Sequence, residues 1–301
     1  MKKLLLICPF FHGYEQHIKA AFEKDGFEVH LFEDTLRGRF SEQEQAAHKQ
    51  VLLKAASTLQ PDHVFVIKAE NLERAFFVDL FAHKSIQKKV LYLWDSLSNN
   101  GQVAQCFDLF DKVFSFDFAD SEQYKLQYKG LFYTQTCLST VEVTNDFFFV
   151  GALHSDRVQR IKQVRRLFEG GGYRFDFNLL IGLKDKLKMI LNGSYFSMHQ
   201  DLITKGLTLA ESTQRLCQSK YVIDVSAANQ TGLTMRTFEV LGAGKVLITN
   251  NKNIQKETFY STDYIVFFDE LEHVDLAAKI NTAQQTFERY HVNNWVKEFF
   301  A

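Results

Sequence analysis

The segment that decides the fold is Asp224-Val-Ser-Ala-Ala-Asn-Gln-Thr-Gly-Leu-Thr-Met-Arg-Thr-Phe-Glu-Val-Leu-Gly-Ala-Gly-Lys245. Its first residue ends a buried apolar strand, a polar loop follows, and the pattern predicts a helix that begins near Thr234. In open α/β sheets, ligands bind at the carboxyl ends of the strands, where such loops lie. We therefore predict four ligand-binding residues in this loop and at the start of the helix: Gln230, Thr231, Gly232 and Thr234.

The predicted helix of this segment carries two charged side chains, Arg236 and Glu239. Because they are three residues apart, both can face the same side of the helix. The unpaired N–H groups at the start of a helix favour an anion. Arg236 suits a phosphate, and Glu239 could accept two hydrogen bonds from a ribose diol. The alternative is an ion pair between the two side chains on the surface of a capped helix.

Short apolar runs alternate with helical patterns on both sides of this segment. Predicted strands lie at residues 4–8, 27–32, 63–67, 90–94, 112–116, 147–150, 174–181, 221–225, 245–249 and 264–268. Predicted helices lie at residues 15–25, 41–59, 157–168, 207–216, 236–241 and from 274 onward. Nearly continuous apolar strands between helices are typical of parallel sheets covered on both faces. The sequence predicts an α/β protein with two Rossmann-like domains, residues 1–140 and 141–285, followed by a final helix over residues 286–301.

Length, composition and charge exclude several other classes of protein. The 301 residues are enough for two domains, and 46% hydrophobic with 24% charged residues is typical of a folded globular chain. The net charge of −1 argues against a nucleic-acid binder. No apolar run is long enough to span a membrane, and the first residues lack the cleavage site of a signal peptide. We expect a cytoplasmic protein without a nucleic-acid partner.

The cysteines and the known catalytic motifs indicate neither a metal nor a cofactor. The four cysteines are far apart and form no C-x-x-C pair, so we expect reduced thiols at Cys8, Cys106, Cys137 and Cys217. G-x-S-x-G, Walker A and H-E-x-x-H patterns are absent, and no histidines and cysteines cluster in the sequence. We predict no metal site and no bound cofactor.

A second candidate site is Phe149-Val-Gly-Ala-Leu-His-Ser-Asp-Arg157, where a predicted strand runs into a predicted helix. Gly151 lacks a Cβ and lets another group approach the backbone, and Arg157 lies in the first turn of the helix together with His154 and Ser155. One glycine is not G-x-G-x-x-G, so a plain strand-to-helix turn is the alternative. The basic side chains of this helix are predicted to form a solvated face, with contact to an anionic acceptor or membrane surface as the alternative.

In the first half of the chain, polar residues follow three predicted strands. His12 lies after the first strand beside a glycine, where a histidine can act as a general base or simply face solvent. Asp95 follows the strand at 90–94, and Asp117 and Asp120 follow the next one. Each carboxylate could be a base or the cap of a turn or helix. We predict His12 and Asp95 as the catalytic residues.

The chain resembles the GT-B glycosyltransferases, and more narrowly the CgeB-like and the lipopolysaccharide or capsule biosynthesis glycosyltransferases. The resemblance rests on Phe149-Val-Gly151 with Arg157, on Arg236-Thr-Phe-Glu239 with Gly242-x-Gly244, and on Trp94-Asp-Ser96 and Val113-Phe-Ser-Phe-Asp117. It implies two Rossmann-like domains that face a cleft. The nucleotide-sugar donor would bind the C-terminal domain and the acceptor mainly the N-terminal one, to which the final helix would cross back.

The resemblance also implies roles for single residues. Glu239 matches the acidic residue that commonly holds the donor ribose, Gly151 matches the glycine near the donor phosphates, and Arg236 lies where a residue would neutralise the diphosphate. The chain departs from the paired E-x7-E pattern, because the residue eight after Glu239 is Leu247.

The implied reaction is a metal-independent transfer of a sugar to a surface glycan or lipid-linked glycan, with peripheral contact at the inner membrane face. The alternatives are a non-catalytic nucleotide- or sugar-binding protein and another sugar-nucleotide enzyme such as an epimerase.

Overall fold

The structure is a computed structural model that describes residues 1–36, 38, 40–69, 71–137, 140–153, 155–191, 195, 198–227, 230–280 and 287–301. The chain forms two compact units. Unit 1 comprises Met1–Thr134, Gln230–Leu233 and Arg289–Ala301, and unit 2 comprises Gln135–Asn229 and Thr234–Glu288. The domain limits 1–140, 141–285 and 286–301 stay a prediction.

Strands and helices alternate through both units. The strands are β1 (Lys2–Cys8), β2 (Phe27–Glu33), β3 (His63–Ile67), β4 (Lys88–Leu93), β5 (Lys112–Ser115), β6 (Gln127–Tyr128), β7 (Asn145–Ala152), β8 (Phe175–Leu180), β9 (Leu202–Ile203), β10 (Ser219–Asp224), β11 (Val246–Thr249) and β12 (Ile265–Phe267). The helices are α1 (Tyr14–Lys24), α2 (Glu42–Leu59), α3 (Arg74–Phe81), α4 (Phe118–Tyr124), α5 (Ser155–Phe168), α6 (Leu183–Leu191), α7 (Leu209–Cys217), α8 (Met235–Gly242) and α9 (Val292–Trp295).

Unit 1 contains a six-stranded parallel sheet with the order β2-β1-β3-β4-β5-β6. Residues Leu4–Cys8 of β1 are fully buried, because helices can cover both faces of a parallel sheet. The strand order reverses between β1 and β3, and this reversal is the point where an open sheet forms a crevice at its carboxyl edge.

Unit 2 contains a second six-stranded parallel sheet with the order β12-β11-β10-β7-β8-β9. When its strands are counted in chain order from β7, this is the 3-2-1-4-5-6 order of a dinucleotide-binding domain. The order reverses between β7 and β10. The two parallel sheets with alternating helices confirm the prediction of an α/β protein built from two Rossmann-like domains.

Several helix boundaries follow from local sequence signals. Ser41 and Glu44 form a capping box at the start of α2, and Thr208 and Glu211 form another at the start of α7. Gly26, with φ of 96°, takes the left-handed conformation in the short turn between α1 and β2.

The core of unit 1 includes the C-terminal segment of the chain. Trp295 is almost fully buried against Phe132 and Tyr92, with ring centroids 4.6 and 5.0 Å apart, and its indole N–H donates to the carbonyl of Gly130 at 2.9 Å. Phe299 packs on Phe65 at 4.5 Å. Trp295 and Phe299, at positions i and i+4, thus anchor this segment to the sheet.

The expectation of four reduced cysteines is wrong for one pair. Cys137 and Cys217 form a disulfide that joins positions 80 residues apart within unit 2. Cys8 and Cys106 are free and buried, as expected. Spacing alone could not indicate the bond, because pairing depends on the folded distance between two cysteines and not on a local motif.

Some elements of the structure differ from the predicted ones. The helices α3, α4 and α6 and the strands β6 and β9 were not predicted; each of these two strands has only two residues, too few to show an alternating pattern. The region after residue 274 was predicted as helical. Its described part contains the 3₁₀ turns Leu276–Ala278 and Glu288–Tyr290 before α9.

Candidate functional site

The carboxyl edge of the unit 2 sheet brings the ends of β7 and β10 together at the reversal of strand order. Gly151 lies at the end of β7, and a Cβ at this position would come within 3.0 Å of the Phe149 ring and 3.4 Å of Nη1 of Arg157. The glycine thus leaves room for the guanidinium beside the strand. His154, which the sequence placed in the same turn, lies outside the described residues.

Arg157, near the start of α5, is held by backbone carbonyls at both strand ends. Its Nη1 donates to the carbonyl of Ala152 at 3.1 Å, and its Nε and Nη2 donate to the carbonyl of Val225 at 3.4 Å. Burial lowers the pKa of Arg157, and the nearby Asp224 acts in the opposite direction. In the described part of the chain, no carboxylate lies within ion-pair distance of this guanidinium.

Asp224 ties the end of β10 to the start of α8. Its Oδ2 accepts hydrogen bonds from the hydroxyls of Thr234 at 2.7 Å and Thr237 at 2.8 Å. Burial raises the pKa of Asp224, although these hydrogen bonds act to lower it. Thr234 is also the N-cap of α8, as its side chain accepts from the N–H of Thr237. The predicted helix start is therefore fixed to the carboxyl edge of the sheet.

Arg236 and Glu239 pair with each other. Their side chains lie 3.0 Å apart, with exposed fractions of 19% and 11%. Arg236 also donates to the hydroxyl of Ser212 at 3.1 Å and lies over the ring of Phe148. The alternative that the sequence left open, an Arg–Glu ion pair, is present, but it is mostly buried and not on the surface. The roles of Arg236 toward phosphate and Glu239 toward ribose stay predictions.

The loop residues Gln230, Thr231 and Gly232 belong to unit 1, where Asp117 binds Thr231 and Gly232. The carboxylate of Asp117 accepts from the backbone N–H groups of Thr231 at 3.0 Å and Gly232 at 2.8 Å, and from the Thr231 hydroxyl. A Cβ at Gly232 would lie 2.6 Å from the ring of Phe116. Thr231 and Gly232, which the sequence predicted as ligand-binding residues, therefore bind a carboxylate of the protein through their N–H groups.

Asp117 is buried and also caps α4, accepting from the N–H groups of Ala119 and Asp120. Burial acts to raise its pKa, but the hydrogen bonds from Thr231 and Gly232 outweigh that effect, and the net pKa is lowered. The capping role that the sequence left open for Asp117 is thus present. Asp120, the second carboxylate of this turn, accepts from the N–H of Leu97 at 2.7 Å.

A cavity of about 230 Å³ lies at the carboxyl edge of the unit 1 sheet and is lined by Pro9, Phe11, Lys68, Trp94 and Asp95. These residues follow β1, β3 and β4, so the cavity lies where the strand order reverses. One oxygen of Asp95 lies 3.4 Å from Nζ of Lys68, and the other accepts from the N–H of Ser96 at 3.0 Å and from the side chain of Asn99 at 2.9 Å. Asp95 is the predicted catalytic residue that faces this cavity.

The chain next to this cavity takes an unusual backbone conformation. Lys68, Ala69 and Asn71 have φ values of 69°, 55° and 59°, which non-glycine residues rarely adopt. Asn100 donates to the carbonyl of Lys68 at 2.9 Å and helps to hold the turn. Such strained residues cluster at functional sites. Sequence reasoning missed Lys68, because positive φ at a lysine has no sequence signal.

His12, the other predicted base, lies near this cavity but does not line it. It is exposed, has φ of 53° and precedes Gly13, the N-cap of α1. Its ring contacts Phe11 edge to face, with centroids 4.3 Å apart. His12 therefore faces solvent, which is the alternative that the sequence left open.

A polar cavity of about 290 Å³ in unit 2 is lined by Asp156, Gln159, Arg160, Gln163 and Asn250. Asn250 follows β11 and exchanges two hydrogen bonds with the backbone of Ser226, which follows β10. The cavity therefore lies between α5 and the loop that follows β11.

The described part of the chain contains neither a metal site nor a membrane-spanning helix. Within it, no group of three histidine, cysteine, aspartate or glutamate side chains is placed to hold a metal ion. None of the helices described there is long and apolar enough to cross a membrane.

Comparisons with known proteins agree with this fold. Residues 182–294 match the family model described as Glycosyl transferase-like. No curated protein matches the sequence significantly.

Several solved structures have the same architecture. The chain is similar to the UDP-GlcNAc 2-epimerase from Methanocaldococcus jannaschii, with a TM-score of 0.62, 11% identity and 99% of each chain covered. It is similar to the UDP-GlcNAc 2-epimerase from Neisseria meningitidis bound to UDP-GlcNAc, with a TM-score of 0.59, 9% identity and coverage of 99% and 98%. Trehalose-6-phosphate synthase gives a TM-score of 0.63 at 10% identity, covering 100% of this chain and 98% of the other.

At these identities the structural similarity shows the fold. Together, the GT-B fold and the Glycosyl transferase-like match support the prediction of an enzyme of the glycosyltransferase class.

Proposed function

We propose that the chain is a metal-independent glycosyltransferase that moves a sugar from a nucleotide-activated donor to a surface glycan of the lipopolysaccharide or capsule type. Arg157 is the observation that carries the proposal. Its guanidinium lies at the reversal point of a sheet with dinucleotide-binding strand order and is held by backbone carbonyls. The Glycosyl transferase-like match, residues 182–294, includes the adjacent β10, α8 and the loop between them.

The donor diphosphate binds beside Gly151 and Arg157 in this proposal. When the bond between the anomeric carbon and the phosphate oxygen breaks, negative charge develops on that oxygen. Arg157 and the N–H groups at the start of α8, which Thr234 caps, stabilise this charge without a metal ion. The acceptor oxygen forms the new bond to the anomeric carbon, so no redox change occurs and no cofactor is needed.

Glu239 holds the donor ribose, and Arg236 acts on it as a positioning residue. The guanidinium lies 3.0 Å from Oε2 of Glu239, which orients the carboxylate. The Ser212 hydroxyl and the Phe148 ring fix Arg236 in turn. In this assignment Arg157 neutralises the donor phosphates, a role that was predicted for Arg236 from the sequence.

Asp95 acts as the general base toward the acceptor hydroxyl in the unit 1 cavity. Its carboxylate is oriented by Ser96 and Asn99, and it accepts the proton as the acceptor oxygen attacks the donor sugar. Trp94 and Phe11 line the same cavity and offer aromatic surface to a sugar ring. The acceptor class is a glycan or lipid-linked glycan.

A sugar-nucleotide epimerase is the second candidate, because structures of UDP-GlcNAc 2-epimerases cover nearly the whole chain. An epimerase changes the sugar while it stays on the nucleotide, whereas a transferase releases the nucleoside diphosphate. The third candidate, a non-catalytic nucleotide- or sugar-binding protein, does neither.

Product analysis separates the three candidates. The full chain is incubated with a panel of nucleotide sugars, with and without glycan acceptors, and the products are identified by mass spectrometry. Transfer predicts equal amounts of free nucleoside diphosphate and glycosylated acceptor, also in excess EDTA. An isomerised nucleotide sugar without acceptor would indicate the epimerase, and unchanged nucleotide sugars that nevertheless bind would indicate the binding protein. Activity lost on chelation and restored by Mg²⁺ would contradict the metal independence but not the sugar transfer.

We propose a cytoplasmic location with peripheral contact at the inner membrane face, where lipid-linked acceptors lie. The Cys137–Cys217 disulfide is the feature that argues against this location most directly, because disulfides are uncommon in the cytoplasm.

A further inference from the structure

The helix α6, residues Leu183–Leu191 of unit 2, exposes an apolar stripe. None of its residues is buried, and four large apolar side chains have high exposed fractions: Leu183 77%, Leu187 63%, Ile190 40% and Leu191 88%. At about 100° per residue, these four fall within an arc of about 100° on one side of the helix. Single exposed apolar residues are normal, but a contiguous stripe on one helix indicates an interaction surface.

Lysines border the stripe on both sides. By the same helical spacing, Lys184 lies next to Leu191 on one edge of the stripe, and Lys186 lies next to Ile190 on the other edge. Lys188 lies beyond Lys184, further from the stripe. Asp185 is the one acidic residue of the helix and lies opposite the stripe. Long lysine side chains can extend their ammonium groups upward from an apolar surface, which suits the boundary between acyl chains and anionic headgroups.

The helix α5 adds positive charge to the same face of the sheet. The crossovers from β7 to β8 and from β8 to β9 run in the same direction, so right-handed connections place α5 and α6 on one face. The exposed side chains of α5 include Lys162 and Arg166. The sequence left contact of this helix with an anionic membrane surface as an alternative. The apolar side chains of α5 are buried or half-buried, and α6 supplies exposed ones.

We propose that α6 docks unit 2 on an anionic phospholipid surface, with its leucines and isoleucine at the acyl boundary and its lysines among the headgroups. A symmetric contact with a second copy of the chain would place the lysine borders of two stripes against each other, and like charges there would repel. Anionic lipid instead complements the charge, and each lysine near such a surface strengthens binding about fivefold. The surface lies outside the proposed donor and acceptor sites, so it extends the proposed peripheral contact without depending on sugar transfer.

Co-sedimentation of the full chain with lipid vesicles tests this surface. The wild type is expected to sediment with vesicles that contain phosphatidylglycerol, to bind pure phosphatidylcholine weakly, and to be released by high salt, which screens the lysines. The double variant Leu187→Glu/Leu191→Glu is expected to lose about tenfold or more of its partitioning, and Lys184→Gln/Lys188→Gln a similar amount.

The matched control is Val51→Glu, at an equally exposed apolar position on α2, with 60% of the residue accessible. It is expected to partition as the wild type does. Nucleoside diphosphate binding and thermal stability, measured on every variant, should not change. The vesicle result is then independent of whether the proposed glycosyltransferase function is correct. The proposal would be overturned if the wild type did not bind anionic vesicles, or if the leucine variant sedimented with them as the wild type does. So would a dimer in gel filtration that Leu187→Glu dissociates while vesicle binding is absent.

Discussion

Arg157 differs from another arginine of α5 in what its guanidinium touches. Arg165 pairs with Asp201 at 2.5 Å, whereas Arg157 binds two backbone carbonyls at the strand ends. We expect Arg157→Gln to weaken nucleoside diphosphate binding by about 1.5–3 kcal/mol, because charged hydrogen bonds to phosphate are lost. Calorimetric titration measures the change. Arg166→Gln, at an exposed site on the same helix, should bind as the wild type does, and equal affinities for all three folded proteins would contradict the assignment.

Asp95 and His12 were both predicted as bases, and the structure favours Asp95 because it lines the unit 1 cavity. Asp95→Asn is expected to lower kcat by about 10²–10⁴-fold, the usual contribution of a general base, with little effect on donor affinity. His12→Gln should change kcat much less. A kinetic comparison with a nucleotide-sugar donor decides between them, and a large loss in His12→Gln with normal turnover in Asp95→Asn would reverse the roles.

At the scale of elements, the turn between β5 and α4 depends on one ionised carboxylate. Asp117 accepts from the N–H groups of Thr231, Gly232 and Ala119, so its pKa in the folded chain lies below the unfolded value despite burial. A lowered pKa contributes stability that is fully present above the unfolded value of about 3.9 and is lost as the pH falls through the folded value.

Asp117→Asn is therefore expected to lower the free energy of unfolding at neutral pH by about 1–3 kcal/mol, since an amide cannot accept all of these hydrogen bonds. The difference from the wild type should narrow as the pH falls below about 4. Urea unfolding at a series of pH values measures both effects. A stability gap that stays constant into the acid range would show that the ionisation of Asp117 does not carry the effect.

The C-terminal segment is an element whose burial the structure defines. We expect Trp295→Ala to destabilise the chain by about 3–5 kcal/mol, because Trp295 packs on Phe132 and donates to Gly130. Thermal or urea unfolding checks this, with the exposed Lys297→Ala as the control. Deletion of residues 292–301 should likewise lower the melting temperature and leave vesicle sedimentation intact. A truncated chain that melts normally but no longer sediments would contradict both the packing account and the α6 surface.

The sequence predicted most of the strands and helices better than the contacts between them. The fully buried strand β3 was predicted with its observed bounds, because the run His-Val-Phe-Val-Ile is short and rich in β-branched and aromatic residues. The helix α6 was missed, although its apolar residues Leu183, Leu187, Ile190 and Leu191 recur at helical spacing. The bond from Asp117 to Thr231 joins positions 114 residues apart, so only the local capping signal of Asp117 was visible beforehand.

At the scale of the whole molecule, two Rossmann-like units follow from alternating strand and helix patterns, and the two six-stranded parallel sheets confirm them. The proximity of Gly151 and Arg157 was predictable from local sequence, because both belong to one strand-to-helix turn. Proximity was not predictable where the fold pairs distant groups, as with Lys68 and Asp95 or with the Cys137–Cys217 disulfide. Residues that a strand or loop brings together from distant parts of the chain leave no periodic signal.

The measurement that tests the central claim most directly is a crystal structure of the full chain with UDP or the nucleoside diphosphate that binds best. The account predicts the diphosphate at the carboxyl edge of the unit 2 sheet, within hydrogen-bond distance of Arg157 and the Gly151 backbone, and the ribose hydroxyls on Glu239. A nucleotide bound elsewhere, with Arg157 still bonded only to the carbonyls of Ala152 and Val225, would contradict it.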